Sequence, residues 1–166
     1  MEEADWTADF IAQYPITYPV VYDCEGFTDM DSRQYGMSKT ERTDIALAFL
    51  KRIEQRGYEG MFYAAKNELQ DETLWETSRI EKNYKIWVAQ FPGDADPAVH
   101  TSSYTGDHQM WQYTMEGSVP GISQPVDMNV AYFGYDGVEK PKDETPPAEA
   151  FPDVEALMAF ATCARP

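Results

Sequence analysis

The sequence has 166 residues, of which 29 are acidic and 13 are basic, so its formal net charge is −16 at pH 7. This charge argues against a nucleic-acid backbone as a partner, because phosphate binding needs a basic surface. No apolar run is long enough to span a membrane, and the acidic start M-E-E-A-D-W does not resemble a basic export signal. The length suits one domain with a sizeable core.

Apolar spacing and helix caps divide the first part of the chain into alternating helices and strands. Residues 2–14 carry aromatic and aliphatic side chains three and four apart, which predicts an amphipathic helix. A β-branched apolar run predicts a strand over residues 18–25. Ser38 and Glu41 form a capping box, and the apolar stripe that follows ends before Gly57, so a helix is predicted between them.

The next segments continue this alternation. Residues 60–65, G-M-F-Y-A-A, predict a strand, and a helix is predicted over residues 69–81. Further strands are predicted over residues 84–91, 109–114 and 126–133. Because strands and helices alternate, we predict an α/β fold with a parallel sheet.

The end of the chain has a different composition. Residues 139–152 are rich in proline and acidic side chains, which predicts an extended linker. Residues 153–166 are too few for a domain and predict either a terminal helix or the start of a further module. We therefore assign the globular domain to residues 1–138. Cys24 and Cys163 do not make a disulfide framework in a chain of this size.

The strand predicted over residues 18–25 ends on two acids. Asp23 and Glu25 share one face of the strand, while Cys24 points to the other. Two neighbouring carboxylates repel each other, which costs stability unless the site uses them. Taken alone, the pair is compatible with a solvated strand end or with half of a divalent-cation site.

Five motifs occur in a fixed order from the first helix to about Tyr135. They are V-V-Y-D-C-E, G-Y-E-G-M-F-Y-A, I-W-V-A-Q-F, M-W-Q-Y-T and V-P-G-I-S-Q-P-V-D-M-N-V. In order and spacing they resemble the family 25 glycoside hydrolases, the muramidases of bacteria and their phages. The resemblance implies a TIM-like β/α barrel with its active site at the C-terminal ends of the strands.

The resemblance also implies catalytic residues. Glu25 matches the general acid, and Asp23 and Asp127 match the acids that flank the reacting sugar. Glycoside cleavage needs a protonated carboxyl at the leaving oxygen and a carboxylate that stabilises positive charge at the anomeric carbon. In this family the substrate's N-acetyl group is thought to take part, so no covalent glycosyl-enzyme on Asp23 is predicted. The V-D-M-N segment is equally compatible with a turn in which Asp127 caps the backbone.

Sugar contacts are implied on neighbouring strands. The predicted substrate-binding residues are Tyr63, Trp87, Gln90, Trp111 and Tyr113. Because Trp111 and Tyr113 alternate with Gln112, only one of these two faces lines the cleft. Trp87 is equally compatible with an ordinary core position. Phe91 stands where the family usually has tyrosine, which removes one hydroxyl.

The start of the chain departs from the family pattern. The family normally begins with an aspartate-bearing strand in a D-V-S-x-W-Q-like segment and two further strand–helix units, which do not precede the first motif here. About five strands are predicted where a closed barrel needs about eight. We therefore expect a fragment or an N-terminally incomplete barrel, whose open edge favours self-association.

Three functions remain open at this point. The first is a muramidase, or lysozyme, that cleaves the β-1,4 bond between N-acetylmuramic acid and N-acetylglucosamine in peptidoglycan without a cofactor. The second is a wall-glycan-binding or scaffold protein without turnover. The third is a phosphodiesterase dependent on a divalent cation, for which the acids would be ligands. It is disfavoured because histidines are absent near the strand ends, and His100 and His108 lie in a loop without zinc-ligand spacing.

The first function implies a place of action outside the cell or in its wall. The protein would then be a phage endolysin or part of a longer secreted protein. Its partner would be the peptidoglycan glycan strand, with no nucleic acid, membrane or metal involved.

Overall fold

The computed structural model describes residues 2–93 and 95–134 of the chain. The helices in these residues are α1 (Glu2–Ile11), α2 (Lys39–Gln55), α3 (Lys66–Gln70) and α4 (Thr77–Glu81). The strands are β1 (Val20–Asp23), β2 (Gly60–Ala65), β3 (Lys85–Ala89), β4 (Met110–Gly117) and β5 (Val126–Ala131). The predicted linker 139–152 and terminal segment 153–166 lie outside the described residues.

The strands form one curled sheet in the order β1-β2-β3-β4-β5, which amounts to about half of a barrel. The first three pairs are parallel, and β4 pairs with β5 in the antiparallel direction. The α/β fold class is therefore confirmed, but the prediction of a wholly parallel sheet is wrong for β5. Only residues 118–125 join β4 to β5, and a parallel crossover needs about a dozen residues or more.

Helix α2 begins and ends where its sequence signals predict. The Ser38 hydroxyl accepts a hydrogen bond from the backbone N–H of Glu41 at 3.2 Å. The Glu41 carboxylate in turn accepts from the backbone N–H of Ser38 at 2.9 Å, which completes the capping box. Gly57 follows the helix with a φ of 89°, a left-handed conformation that favours glycine.

The single helix predicted over residues 69–81 is wrong, because two short helices, α3 and α4, take its place. The side chain of Asp71 accepts a hydrogen bond from the backbone N–H of Thr73 at 2.8 Å. Such a local turn competes with helical hydrogen bonding, so the chain leaves α3 at this point and restarts at α4.

The main hydrophobic core lies between the outer face of the sheet and the helices. The largest buried side chains that the strands contribute belong to Tyr22, Phe62, Ile86, Val88 and Trp111. Leu50 of α2 joins the same core, and the buried ring of Trp75 packs edge-on against Phe62 with 4.9 Å between centroids. The outer face is therefore a packed, apolar surface.

Helix α1 is attached to α2 by a small second core and by ion pairs. Ala4, Ala8 and Ile53 are fully buried between the two helices. The carboxylate of Asp5 lies 2.7 Å from the guanidinium of Arg52. In the part of the chain that the structure describes, no helix has the length and apolar character needed to cross a membrane.

Candidate active site

The concave face of the sheet carries polar and aromatic side chains in two rows. Parallel pairing places Asp23, Tyr63 and Trp87 next to one another on β1, β2 and β3. The next row toward the C-terminal ends contains Ala89, Gln112 and Asn129 on β3, β4 and β5. Because side chains alternate along a strand, both rows point away from the helix-covered core.

Two side-chain hydrogen bonds cross this face diagonally. The Tyr63 hydroxyl on β2 donates to Oε1 of Gln112 on β4 at 2.7 Å. The indole N–H of Trp87 on β3 donates to Oδ1 of Asn129 on β5 at 3.0 Å. The Tyr63 and Trp87 rings also meet edge-to-face, with 5.1 Å between their centroids. The four side chains therefore form one connected floor.

Asp23 is the acid whose titration the fold changes most clearly. Burial raises the pKa of Asp23 to about 7, and the negative charges of Glu25 and Glu68 add to the effect. Its Oδ1 is buried and has no hydrogen-bond partner among residues 2–93 and 95–134. Near neutral pH this carboxyl is therefore partly protonated.

Glu68 is a further acid near Asp23 that the sequence analysis missed. Burial is the main cause that raises the pKa of Glu68, and the charge of Glu25 also raises it. A hydrogen bond with the backbone of Ala65 and the charge of Arg42 oppose this rise. The available signal was its position in α3, directly after β2, since barrel sites are built at this end of the strands.

The Tyr63 hydroxyl lies in the electric field of four acids. Burial raises the pKa of this phenol well above its usual value, and four carboxylates raise it further. In decreasing order of effect they are Glu25, Asp23, Asp127 and Glu68. The structure thus brings the predicted residues Asp23, Glu25, Asp127 and Tyr63 into one acidic neighbourhood. Glu25 and Asp127 are exposed, whereas Asp23 is only half-buried.

Trp111 and Tyr113 lie on the other face of β4. Trp111 is 0% exposed within the main core, and Tyr113 packs against that core. The indole N–H of Trp111 donates to the backbone carbonyl of Gln90 at 2.9 Å. The residue of this W-Q-Y segment on the concave face is therefore Gln112, and we leave the two aromatic residues out of the candidate site.

Gln90 is engaged in holding the loop after β3. Its Oε1 accepts hydrogen bonds from the Ser102 hydroxyl at 2.7 Å and from the backbone N–H of Ser103 at 2.8 Å. Its side-chain nitrogen donates to the Ser103 hydroxyl at 2.8 Å. These bonds fix the loop after β3, and they occupy the polar atoms of the Gln90 side chain.

A pocket of about 590 Å³ opens near α4, with Leu69, Trp75, Glu81 and Tyr104 among its lining residues. Its lining includes none of the four acids around Tyr63. Within the described ranges, no group of three or more His, Cys, Asp or Glu residues could hold a metal ion.

Comparison with solved structures finds related folds. The spore cortex lytic enzyme SleM of Clostridium perfringens is 21% identical, with a TM-score of 0.56 over 77% of this chain and 43% of that chain. The bacterial lysozyme from Streptomyces coelicolor is 24% identical, with a TM-score of 0.47 over 61% of this chain and 46% of that chain. The chain thus spans less than half the length of either. The likeness to SleM supports the fold alone.

Comparison with protein families identifies the chain. A search of curated proteins found no match. The sequence profile of the glycosyl hydrolases of family 25 matches residues 1–122, which is most of the chain. This match covers the β1 to β4 region and most of the motifs on which the resemblance rested. The resemblance is confirmed, and the chain belongs to glycosyl hydrolase family 25.

Proposed function

We propose that this chain is the catalytic part of a peptidoglycan muramidase, which hydrolyses the β-1,4 bond between N-acetylmuramic acid and N-acetylglucosamine. One observation carries the proposal. The negative charges of Asp23, Glu25 and Asp127 all act on the buried side chain of Tyr63 on the concave face of the sheet, in a chain of a glycoside hydrolase family. A group of neighbouring carboxyl groups can supply both the acid and the charge-stabilising group that this reaction needs.

The proposed reaction assigns a different role to each acid. Glu25, which lies just beyond the end of β1, donates a proton to the glycosidic oxygen as the bond to the anomeric carbon breaks. Asp127, together with Asp23 in its ionised form, provides negative charge beside the positive charge that develops on the sugar ring. Water then attacks the anomeric carbon and returns a proton to the Glu25 carboxylate. No cofactor takes part in these steps.

Tyr63 and Trp87 provide the proposed floor for the sugar ring. The Trp87 side chain is half-buried, so part of it is available on the concave face. Aromatic rings suit the flat apolar faces of sugars, and the hydrogen bonds of both rings hold them in place. We retain Tyr63 and Trp87 as substrate-binding residues and assign to Gln90 the positioning of the adjacent loop.

The experiment is the release of reducing ends from purified peptidoglycan by the wild-type chain and by Glu25→Gln, with products identified by mass spectrometry. We expect products that end in reducing N-acetylmuramic acid, and a decrease of about 100-fold or more in Glu25→Gln, since general acids contribute on this scale. Glu72→Gln is the matched control, because Glu72 is exposed in the loop between α3 and α4. No release from a folded wild-type chain would contradict the proposal.

A second candidate function is glycan binding without turnover. The observation that favours it is the open sheet, because about half of a barrel provides only part of the wall of a closed cleft. Binding of peptidoglycan without release of reducing ends would support this function instead. The site of action proposed for both functions is the cell wall.

Self-association through the edge of β1 is a related proposal. Among the described residues, β1 pairs only with β2, which leaves one side of a parallel strand open. We expect a dimer or larger species in light scattering. A monomer that binds no dye specific for apolar surface would contradict it.

A further inference from the structure

Lys66 is a basic residue at the end of the sheet that carries the acids. It follows β2 directly, and Ala65 at the end of β2 is the register partner of Ala89 at the end of β3. Asp23 ends β1 at this same end of the sheet. Because barrel sites are built at this end of the strands, Lys66 begins beside the candidate active site.

The Lys66 ammonium is held by a hydroxyl and not by a carboxylate. Its Nζ donates a hydrogen bond to Oγ of Ser103 at 2.7 Å. Among residues 2–93 and 95–134, no carboxylate forms an ion pair with Lys66. This is notable in a chain with 29 acidic and 13 basic residues. In this part of the chain the positive charge is therefore held in place without a counter-charge.

The Ser103 hydroxyl has an unused hydrogen. Its oxygen accepts from Lys66 and, at 2.8 Å, from Nε2 of Gln90. The Gln90 amide is oriented in this way because its oxygen accepts from the backbone N–H of Ser103 at 2.8 Å, and a backbone N–H can only donate. A hydroxyl has two acceptor lone pairs and one hydrogen. Both lone pairs of Ser103 are therefore used, and its O–H remains available as a donor.

Two donors of different charge thus lie side by side. An ammonium carries three hydrogens, and Ser103 takes only one of those of Lys66. Ser103 is exposed and Lys66 is partly exposed, so a ligand can reach both. A charged donor next to a neutral donor suits an acceptor that has two oxygens and a negative charge. A carboxylate has this form.

The proposed substrate carries a carboxyl group on one of its two sugars. N-acetylmuramic acid differs from N-acetylglucosamine by a lactyl ether, whose carboxyl is either free or linked to a peptide that has carboxylates of its own. The four carboxylates that act on Tyr63 and the net charge of −16 both repel such an arm. A local cation such as Lys66 offsets this repulsion.

We propose that the Lys66 ammonium and the Ser103 hydroxyl form a subsite that binds a carboxylate on the lactyl arm of N-acetylmuramic acid, and that Gln90 positions this pair. The inference rests on the proposed function, because it takes the peptidoglycan glycan strand as the ligand. It adds a basis for specificity, since the subsite distinguishes N-acetylmuramic acid from N-acetylglucosamine.

The test compares the binding of two trisaccharides by calorimetry. One is the trimer of β-1,4-linked N-acetylglucosamine, and the other has N-acetylmuramic acid as its middle sugar, so that the two differ only in the lactyl arm. Every protein carries Glu25→Gln, which prevents cleavage of the ligand. We expect at least about tenfold tighter binding of the muramic acid ligand at low salt, because hydrogen bonds to charged groups are the stronger kind. Added salt should reduce this preference.

Two substitutions remove the proposed donors. Lys66→Met keeps a similar length without the charge, and we expect the preference to fall to about twofold or less while binding of the neutral trimer is unchanged. Ser103→Ala removes the neutral donor and the acceptor that holds Lys66, and an intermediate preference is expected. The controls are Lys51→Met in α2 and Ser118→Ala in the loop between β4 and β5, since both residues are exposed. Thermal unfolding establishes that each variant is folded.

A third ligand separates the two sources of the carboxylate. In this trisaccharide the lactyl carboxyl is linked to the dipeptide alanyl-glutamate, so that only the peptide is negatively charged. Tighter binding of the free acid than of this ligand would assign the subsite to the lactyl carboxylate. The reverse order would assign it to the peptide. In either case the affinity gained over the neutral trimer should depend on Lys66.

Each outcome decides between the two proposals. No preference for either muramic acid ligand, or a preference kept in both Lys66→Met and Ser103→Ala, would overturn the subsite. A preference that depends on Lys66, without release of reducing ends from peptidoglycan by the wild-type chain, would support the subsite and refute the muramidase. Release of reducing ends with an unchanged preference in both variants would refute the subsite alone.

Discussion

The two faces of the sheet carry neighbouring residues of the same strands but have different surroundings. On the outer face, Phe62 and Trp111 are fully buried beneath the helices. On the concave face, Tyr63 and Gln112 follow them directly in the chain and are joined by a hydrogen bond. One step along a strand therefore separates a packing role from a role in the candidate site.

Trp111 and Trp87 lie on opposite faces of the sheet, and their replacement by alanine is expected to give the largest difference in stability. We expect Trp111→Ala to lower the free energy of unfolding by about 3–5 kcal/mol, because it opens a cavity in the core. Trp87→Ala removes a half-buried ring and is expected to cost about 1–2 kcal/mol, with a larger loss of sugar binding. Urea unfolding measures both, and Trp111→Phe is the conservative control. Equal losses in the two alanine variants would contradict the assignment of faces.

A smaller effect concerns Asp23, whose pKa of about 7 lies above that of an unfolded aspartate. The folded state binds the proton more tightly, so the stability contribution is present below about pH 4 and is lost as the pH rises to about 7. We expect Asp23→Asn to raise the free energy of unfolding by about 1–3 kcal/mol at pH 8 and to have less effect at pH 4.

Urea unfolding at the two pH values measures this difference. Asp31→Asn, at an exposed position in the loop after β1, serves as the control and should show no such dependence. A loss of stability in Asp23→Asn at pH 8 would show that the concave face is built for packing, as the outer face is.

The helix layer offers a contrast that does not involve the cleft. Ser38→Ala removes the side-chain acceptor of the α2 capping box, and we expect a loss of about 1 kcal/mol. Thermal unfolding measures the loss, with Ser118→Ala as the control. Binding of N-acetylated trisaccharide should not change, since the cap lies in the layer outside the sheet. A change in binding would mean that the two sides of the sheet are coupled.

Glu68 is expected to have the smallest effect of the residues considered. Glu68→Gln removes one of the charges that raise the pKa of Asp23, so that pKa should move downward. The effect is expected to be smaller than those of burial and of Glu25, which are the two larger causes. Carboxyl chemical shifts followed against pH by NMR measure it. An unchanged Asp23 pKa would mean that the charge of Glu68 does not act on Asp23.

Local signals predicted much of this fold from the sequence. The capping box at Ser38 and the glycine at Gly57 located α2, because both act through neighbouring backbone atoms. The strand G-M-F-Y-A-A was predicted with its observed bounds, Gly60–Ala65. The motif around Asp23 and Glu25 located the acidic end of β1. These features depend on residues close together in the chain.

Other features depend on contacts that the sequence does not display. In the W-Q-Y segment, Trp111 and Tyr113 on one face and Gln112 on the other are all suited to binding a sugar. The position of the helices, which the segment itself does not reveal, decides which face is buried. Glu68 belongs to no motif. It matters because the fold brings α3 close enough to β1 for the charge of Glu68 to act on Asp23. The alternation of helices and strands predicted one helix across Asp71 and a parallel last strand, and both predictions were wrong. The short connection between the last two strands is the feature that favours an antiparallel hairpin.

The two diagonal hydrogen bonds on the floor have a mechanical consequence. Tyr63 is joined to Gln112 across β3, and Trp87 is joined to Asn129 across β4. Strands two apart are separated by about 9–10 Å in a flat sheet, and curling brings their concave side chains closer together. The two bonds thus hold alternate strands together on the concave side and resist flattening of the sheet. An open sheet can then keep the curvature of a barrel wall without closing into a ring.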